Sequence, residues 1–338
     1  MNESVFNIKP LGFQWEALDP FLFCVHHEDF FPKGNGNLGP DEMELKGRNI
    51  GQDFQVKDGW RMYHGQKVPG FPSHPHRGFE TVTVVRKGWV DHSDSMEAAG
   101  RYGNGDVQWM TAGKGVQHAE MFPLVNQDSE NTMELFQIWL NLPKASKFVE
   151  PHYKMFWNED IPRYELTDAQ NLKTNIELIA GKIENTPALA PPPDSWAAKA
   201  ENEVAIWIIH MEPGANFTLP ITSPGVNRRL YFYKGDKLIL NDSDLPVYHS
   251  ADLATGKSLK IGAGEELCSL LILQGRPINE PVVQYGPFVM NTRQEIQDAF
   301  TEYEQTQFGG WPWPTHEVTH GSSPKRFALY ADGTKEER

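Results

Sequence analysis

β-Branched runs punctuated by glycine-bounded turns fill most of this chain, and no long stretch with a helical period interrupts them in its first half. Such a pattern buries its apolar side chains only if strands pair into sheets, which makes a barrel or a sandwich the natural outcome. Residues 79–85 read Phe-Glu-Thr-Val-Thr-Val-Val and end at Lys87-Gly88. A short run opens at Val90, a turn spans 103–106, and residues 107–110 and 134–142 supply further strands. Gly113-Lys-Gly115 reads as a tight bend, not a nucleotide cradle. The same texture returns at 204–210, 217–219, 229–233, 237–240 and 267–273, with turns at Glu212-Pro-Gly214 and Gly262-Ala-Gly264. A chain of 338 residues is about two domains long, so the repetition predicts two barrels.

Between them the texture changes. Pro143, Pro151 and Pro162 punctuate the chain, and the run Pro191-Pro-Pro193 marks 185–200 as an exposed, semi-rigid insertion. One helix announces itself late: Thr292-x-x-Glu295 is a capping box, and Ile296, Phe300 and Tyr303 recur at helical spacing. The tail beyond it, with Gly309-Gly-Trp-Pro-Trp-Pro314, reads as a strap across a domain surface.

Charge and composition exclude several classes. The net charge of −14 argues against a direct grip on nucleic acid or on an anionic membrane. The longest apolar stretch, 267–273, is far too short to cross a bilayer, and the N-terminus shows no secretory signal pattern. Cys24 and Cys268 are too few for a disulfide framework or a thiolate zinc site, which fits a reduced, cytoplasmic setting. No phosphate loop, no dinucleotide fingerprint, no serine nucleophile elbow and no credible Cys–His dyad appears.

The chemistry concentrates in two segments, His74-Pro-His76-Arg-Gly-Phe-Glu80 and Gln117-His118-Ala-Glu120. Side chains two apart on a strand share a face, so His74 with His76, and His118 with Glu120, can converge from neighbouring strands; Glu80 joins them if its segment stays extended. Nitrogen and oxygen ligands of this kind suit Fe(II), and also Mn, Ni, Cu or Zn. Phe71, Phe79 and Trp109 are near in sequence and are candidates for an apolar mouth, or for barrel core. His64, in a Gly-rich approach loop, is a candidate for the mouth. His26 and His27 are adjacent and would face opposite ways, and His92, His152, His210, His249, His316 and His320 lack a spaced partner. Between 204 and 273 there are only His210 and His249, so the second barrel is expected to be metal-free.

Residues 18–22, 70–83, 105–121, 135–142, 149–153 and 280–292 resemble the pirin family, whose members are bicupins. The resemblance implies an all-β chain of two tandem jelly-roll barrels with a short C-terminal helix and tail. It implies a metal-binding barrel over 1–150, a barrel without metal over 151–300, and a tail over 301–338. It implies one metal, most often iron, held by His74, His76, His118 and Glu120, with Glu80 as a competing or supporting carboxylate. Some pirins open flavonols such as quercetin with O₂, which makes Glu120 and Glu80 the candidate acceptors of a phenolic hydroxyl proton. Others act without catalysis, as iron-binding regulators of a transcription factor or metabolic enzyme, so a protein partner is the alternative. The chain departs from the family pattern in a longer 31–68 loop, in the 185–200 insertion, and in Val84 where many pirins carry Tyr.

Overall fold

The run at 79–85 becomes the strand Phe79–Lys87 in the computed structural model, which describes residues 4–338. That strand lies between Val107–Thr111 and Asn131–Asn141, with His152–Phe156 and Phe21–Phe31 beyond them. A second antiparallel sheet runs Gly70–His76, Val116–Met121, Trp89–Asp94, Ala99–Gly103, Phe327–Leu329, Lys335–Glu337. Apart from the first four residues of Phe21–Phe31, these two sheets form one unit, made of 25–158 and 280–338. Its last two strands come from the tail and cover the edge of Ala99–Gly103, which would otherwise present unpaired backbone groups.

The other unit combines Met1–Cys24 with Glu159–Asn279. A seven-stranded sheet runs Val5–Pro10, His249–Leu253, Asn227–Lys234, Cys268–Gly275, Ala205–Met211, Lys173–Ala180, Arg163–Thr167, and a four-stranded sheet accompanies it. Ile176, Trp207, Leu230, Phe232, Leu270 and Ile272 are among the buried residues of its core. Each fully buried aliphatic or aromatic side chain of this kind stabilises by about 1.5–3 kcal/mol.

The units therefore interleave along the chain, unlike the tandem segments 1–150, 151–300 and 301–338 expected from sequence. Val5–Pro10 completes the sheet of the second unit, because its register partners lie at 249–253. Conversely, the helix Arg293–Thr306 belongs with the first unit: Ile296 and Ala299 bury against Phe288 and Met290. Its capping box is complete, with Glu295 N–H donating to Thr292 Oγ1 (3.2 Å) and Thr292 N–H to Glu295 Oε2 (2.8 Å). Glu302 on this helix accepts two bonds from the buried Arg77, at 2.8 and 2.7 Å.

The loop at 31–68 is long but internally braced. Arg48 donates to Asp53, to the Trp60 carbonyl and to the Lys57 carbonyl, and its guanidinium lies 3.3 Å from the centre of the Trp60 ring. Arg61 forks onto Asp29 at 2.9 Å through both carboxylate oxygens, a bidentate pair that pins the loop's return. No helix among the described residues is long and apolar enough to cross a membrane.

Candidate metal centre

Gly70–His76 and Val116–Met121 pair antiparallel with His74 directly opposite His118. A register shift between Phe71 and His74 adjusts the pairing just before the first histidine. The rings of His74, His76 and His118 then lie 4.5–4.8 Å apart, centre to centre. One nitrogen from each ring falls within 4.8 Å of the others.

Their hydrogen bonding prepares them as ligands. The Pro72 carbonyl lies 2.9 Å from His74 Nδ1, so that nitrogen donates its hydrogen and Nε2 keeps a lone pair. His76 Nδ1 and both ring nitrogens of His118 are buried without a partner. Burial pushes His74 down to about 4, and pushes His76 and His118 well below the ordinary histidine range. Near neutral pH all three rings are therefore uncharged. Converging neutral imidazoles with orphaned nitrogens fit a divalent transition metal, and buried polar atoms left unpaired are otherwise costly.

Glu120 stands a step outside this trio, with Oε2 3.8 Å from His118 Nε2. Thr83 Oγ1 lies 3.0 Å from one carboxylate oxygen, and Gln137 Nε2 donates to the other at 2.8 Å. Burial raises the proton affinity of Glu120, and the nearby His92 offsets part of that.

Glu80 is not brought to the imidazoles. The His74 strand ends at His76, and Gly78, at φ +84°, turns the chain into the other sheet before Glu80 is reached. A Cβ at that glycine would fall 2.1 Å from the Val289 carbonyl oxygen, so no other residue fits. Along Phe79–Lys87 the face that carries Thr83 meets Glu120, and alternation sends Glu80 to the opposite face. There Thr111 Oγ1 and Trp109 Nε1 donate to it, at 2.7 and 3.2 Å. Trp109 shares that buried face and does not line a mouth. Phe79 does face the trio, 5.0 Å from the His76 ring and stacked on Trp139. Phe71 joins Phe54, Tyr63 and His64 in an aromatic cluster that reaches His74.

His92, which has no spaced histidine partner in the sequence, also belongs to this neighbourhood. It is fully buried, 5.5 Å from the His118 ring, stacked on Tyr153, and 3.2 Å from Asp94 through Nε2. Its register partner is Glu120, and Asp94 faces His118. The signal that could have found it is the His92-x-Asp94 spacing, which puts both on one strand face. His26 and His27 do diverge, to Glu134 and to Tyr63 respectively. His210 and His249, in the other unit, bond Ser269 Oγ and the Val247 carbonyl.

The tail runs past this centre as a strap. The Ser73 N–H donates to the His316 carbonyl (3.0 Å), Trp313 Nε1 to the Asp94 carbonyl (2.8 Å) and His320 Nε2 to the His92 carbonyl (2.8 Å). Glu317 accepts from the backbone of Gln66 and Lys67, tying the strap to the 31–68 loop.

Two antiparallel sheets enclosing histidines from paired strands, with a second double-sheet unit in the same chain, define a two-domain cupin. Residues 12–140 match the family model for pirin and residues 206–309 that for the pirin C-terminal cupin domain; the chain belongs to the pirin family. A Pseudomonas aeruginosa protein provisionally named quercetin 2,3-dioxygenase is 35% identical over 249 residues, 72% of this chain and 80% of that one. Human pirin is 32% identical over 255 residues, 73% of this chain and 80% of its own. A crystal structure of quercetin 2,3-dioxygenase from Acinetobacter baumannii superposes with a TM-score of 0.71 at 27% identity, covering 91% of this chain and 98% of that one.

Proposed function

We propose that this chain is a metal-dependent dioxygenase acting on a flavonol-like phenolic substrate with O₂. The observation that carries the reading is the trio of uncharged imidazoles whose ring nitrogens converge within 4.8 Å, with His76 Nδ1 and both nitrogens of His118 buried without protein partners. His74, His76 and His118 would hold the metal, with Glu120 as the fourth candidate ligand; Fe(II) is the first choice, and Mn, Ni, Cu and Zn share the ligand chemistry. When bound, the metal supplies Lewis acidity toward an enol oxygen and a one-electron route to dioxygen.

The protein's own part is proton handling and shape. Glu120, whose proton affinity burial raises, is the group we assign to take the phenolic hydroxyl proton, as the carboxylate and when it is not bound to the metal. Gln137 donates to one of its oxygens and Thr83 lies against the other, an arrangement that orients the carboxyl outside the histidine trio. Glu80 acts from the far face of its strand, holding Trp109 and Thr111 in place and touching no substrate. Phe79 and Trp139 offer an apolar wall beside His76 for an aromatic ring. Two buried cysteines without a disulfide support a reducing, cytoplasmic home.

The test is oxygen uptake with quercetin by iron-loaded protein, aerobic against anaerobic, with His74→Ala as the control. Turnover that needs both O₂ and His74 supports the proposal. If wild type and variant run at the same rate, the oxygenase reading fails for quercetin and the non-catalytic iron-binding regulator takes its place.

A further inference from the structure

The proline-rich insertion at 185–200, which the metal centre does not use, forms one wall of a solvent-open cavity of about 490 Å³ in the second unit. Leu189, Ala198 and Ile221 are among its apolar lining. At the same cavity stand three buried donors: Arg228, Trp207 and Thr222. Trp207 Nε1 and Thr222 Oγ1 are buried without a hydrogen-bond partner. An indole N–H can only donate, so what it lacks is an acceptor.

Arg228 adds a charge to this pair. Its bonded partners are neutral: Nε donates to Gln274 Oε1 and Nη1 to the Pro220 carbonyl, both at 2.6 Å. Burial pulls its guanidinium down to about 10, and Glu203 restores only part of that. Glu203 itself is committed elsewhere, accepting from the Ser223 N–H and lying 3.7 Å from Arg276. A buried cation without a bonded anion is costly unless a ligand supplies the negative charge.

We propose that this cavity is a second ligand site, taking a small molecule with one carboxylate on a compact apolar or aromatic body. The carboxylate accepts from Arg228, Trp207 and Thr222, and the body lies along the alanine, leucine and isoleucine wall. The charge balance of the lining suits a single negative charge. The three donors suffice for one carboxylate, and of the charged groups in the lining Glu184 and Glu203 are offset by Lys182 and Lys199, which leaves Arg228 as the one net positive charge. The volume lies within the range of pockets that enclose small ligands, about 300–1,000 Å³.

Cinnamate is a suitable probe, and its uncharged amide, cinnamamide, is the isosteric control. Calorimetric titration of the full chain should detect cinnamate binding, with cinnamamide about tenfold weaker or more, as loss of a charged hydrogen bond implies. Arg228→Gln, Trp207→Phe and Thr222→Val should each weaken cinnamate, Arg228→Gln most, while His76→Ala should leave it unchanged. The His76 arm separates this site from the metal centre, so the outcome is independent of the dioxygenase reading. If Arg228→Gln does not fold, Thr222→Val decides, because it removes the hydroxyl at nearly constant volume, with Trp207→Phe beside it once its fold is verified. Absence of cinnamate binding, equal binding of the amide, or cinnamate affinity indifferent to Trp207→Phe and Thr222→Val overturns the proposal.

Discussion

The two units use the space between their sheets differently. In one, His74, His76, His118, Glu120, Thr83 and Gln137 gather as a polar cluster with unpartnered atoms, beside an apolar core that includes Val85, Val90, Tyr102 and Leu135. In the other, Ile176, Leu178, Ile209, Leu230, Phe232 and Leu270 form an apolar core. The same architecture holds a converging histidine cluster in one unit and, among the described residues, none in the other. Stability and metal binding should therefore respond to substitutions in different places.

The sharpest way to break this contrast is at His118. His118→Ala removes a ring whose two nitrogens both lack protein partners, and it should abolish metal retention and oxygen uptake together. Elemental analysis of wild type should find about one transition metal per chain, on this ligand count. A His118→Ala protein that keeps full metal content would dissolve the distinction between the barrels. Next in size, Glu120→Gln should lower turnover by about 10²–10⁴-fold while the chain stays folded; unchanged turnover would remove Glu120 from the chemistry.

The complementary substitution is Leu270→Ala. Leu270 is fully buried, so the cavity left behind should cost about 2–5 kcal/mol of stability in a denaturant titration. Metal content should not change. A parallel loss of metal would mean that the apolar barrel is not merely packing.

Acid should also separate the two. Burial, with Arg61 nearby, holds His27 at about 3 against 6.5, and burial holds His74 at about 4 against 6.5. Below 6.5 the unfolded chain takes up protons that these native rings refuse, so stability falls with pH down toward the folded values and is unaffected above 6.5. Hydrogen exchange on metal-free protein at about pH 5 should show Val116–Met121 opening before Cys268–Gly275. Equal protection of the two strands would count against that assignment. The smallest effect belongs to Thr292→Ala, which removes a capping box and should cost about 1 kcal/mol, confined to the helix that follows.

Much of the metal centre is legible in residue spacing, for a physical reason. Strand alternation is a local rule, so the pairing of His74 with His76 and of His118 with Glu120 follows from spacing alone. The failures share a cause as well. Glu80 groups with the histidines only if the run stays extended, but Gly78 turns the chain and moves Glu80 to the far face of another sheet. His92 is hidden because its neighbours, His118 and Glu120, come from cross-strand register. The exchange of Met1–Cys24 and residues 280–338 between units is hidden likewise, since strand partners hundreds of residues apart leave no local trace.

The strap has a consequence for how the protein is made. The edge strand Ala99–Gly103 emerges from the ribosome more than two hundred residues before its partner Phe327–Leu329. A nascent chain thus displays all three histidines well before that edge is sealed. A message truncated after the helix would encode every candidate ligand and still leave a bare sheet edge, a template for aggregation. Sealing that edge is thus a late event, separated from the synthesis of the histidines by the 159–279 segment of the second unit.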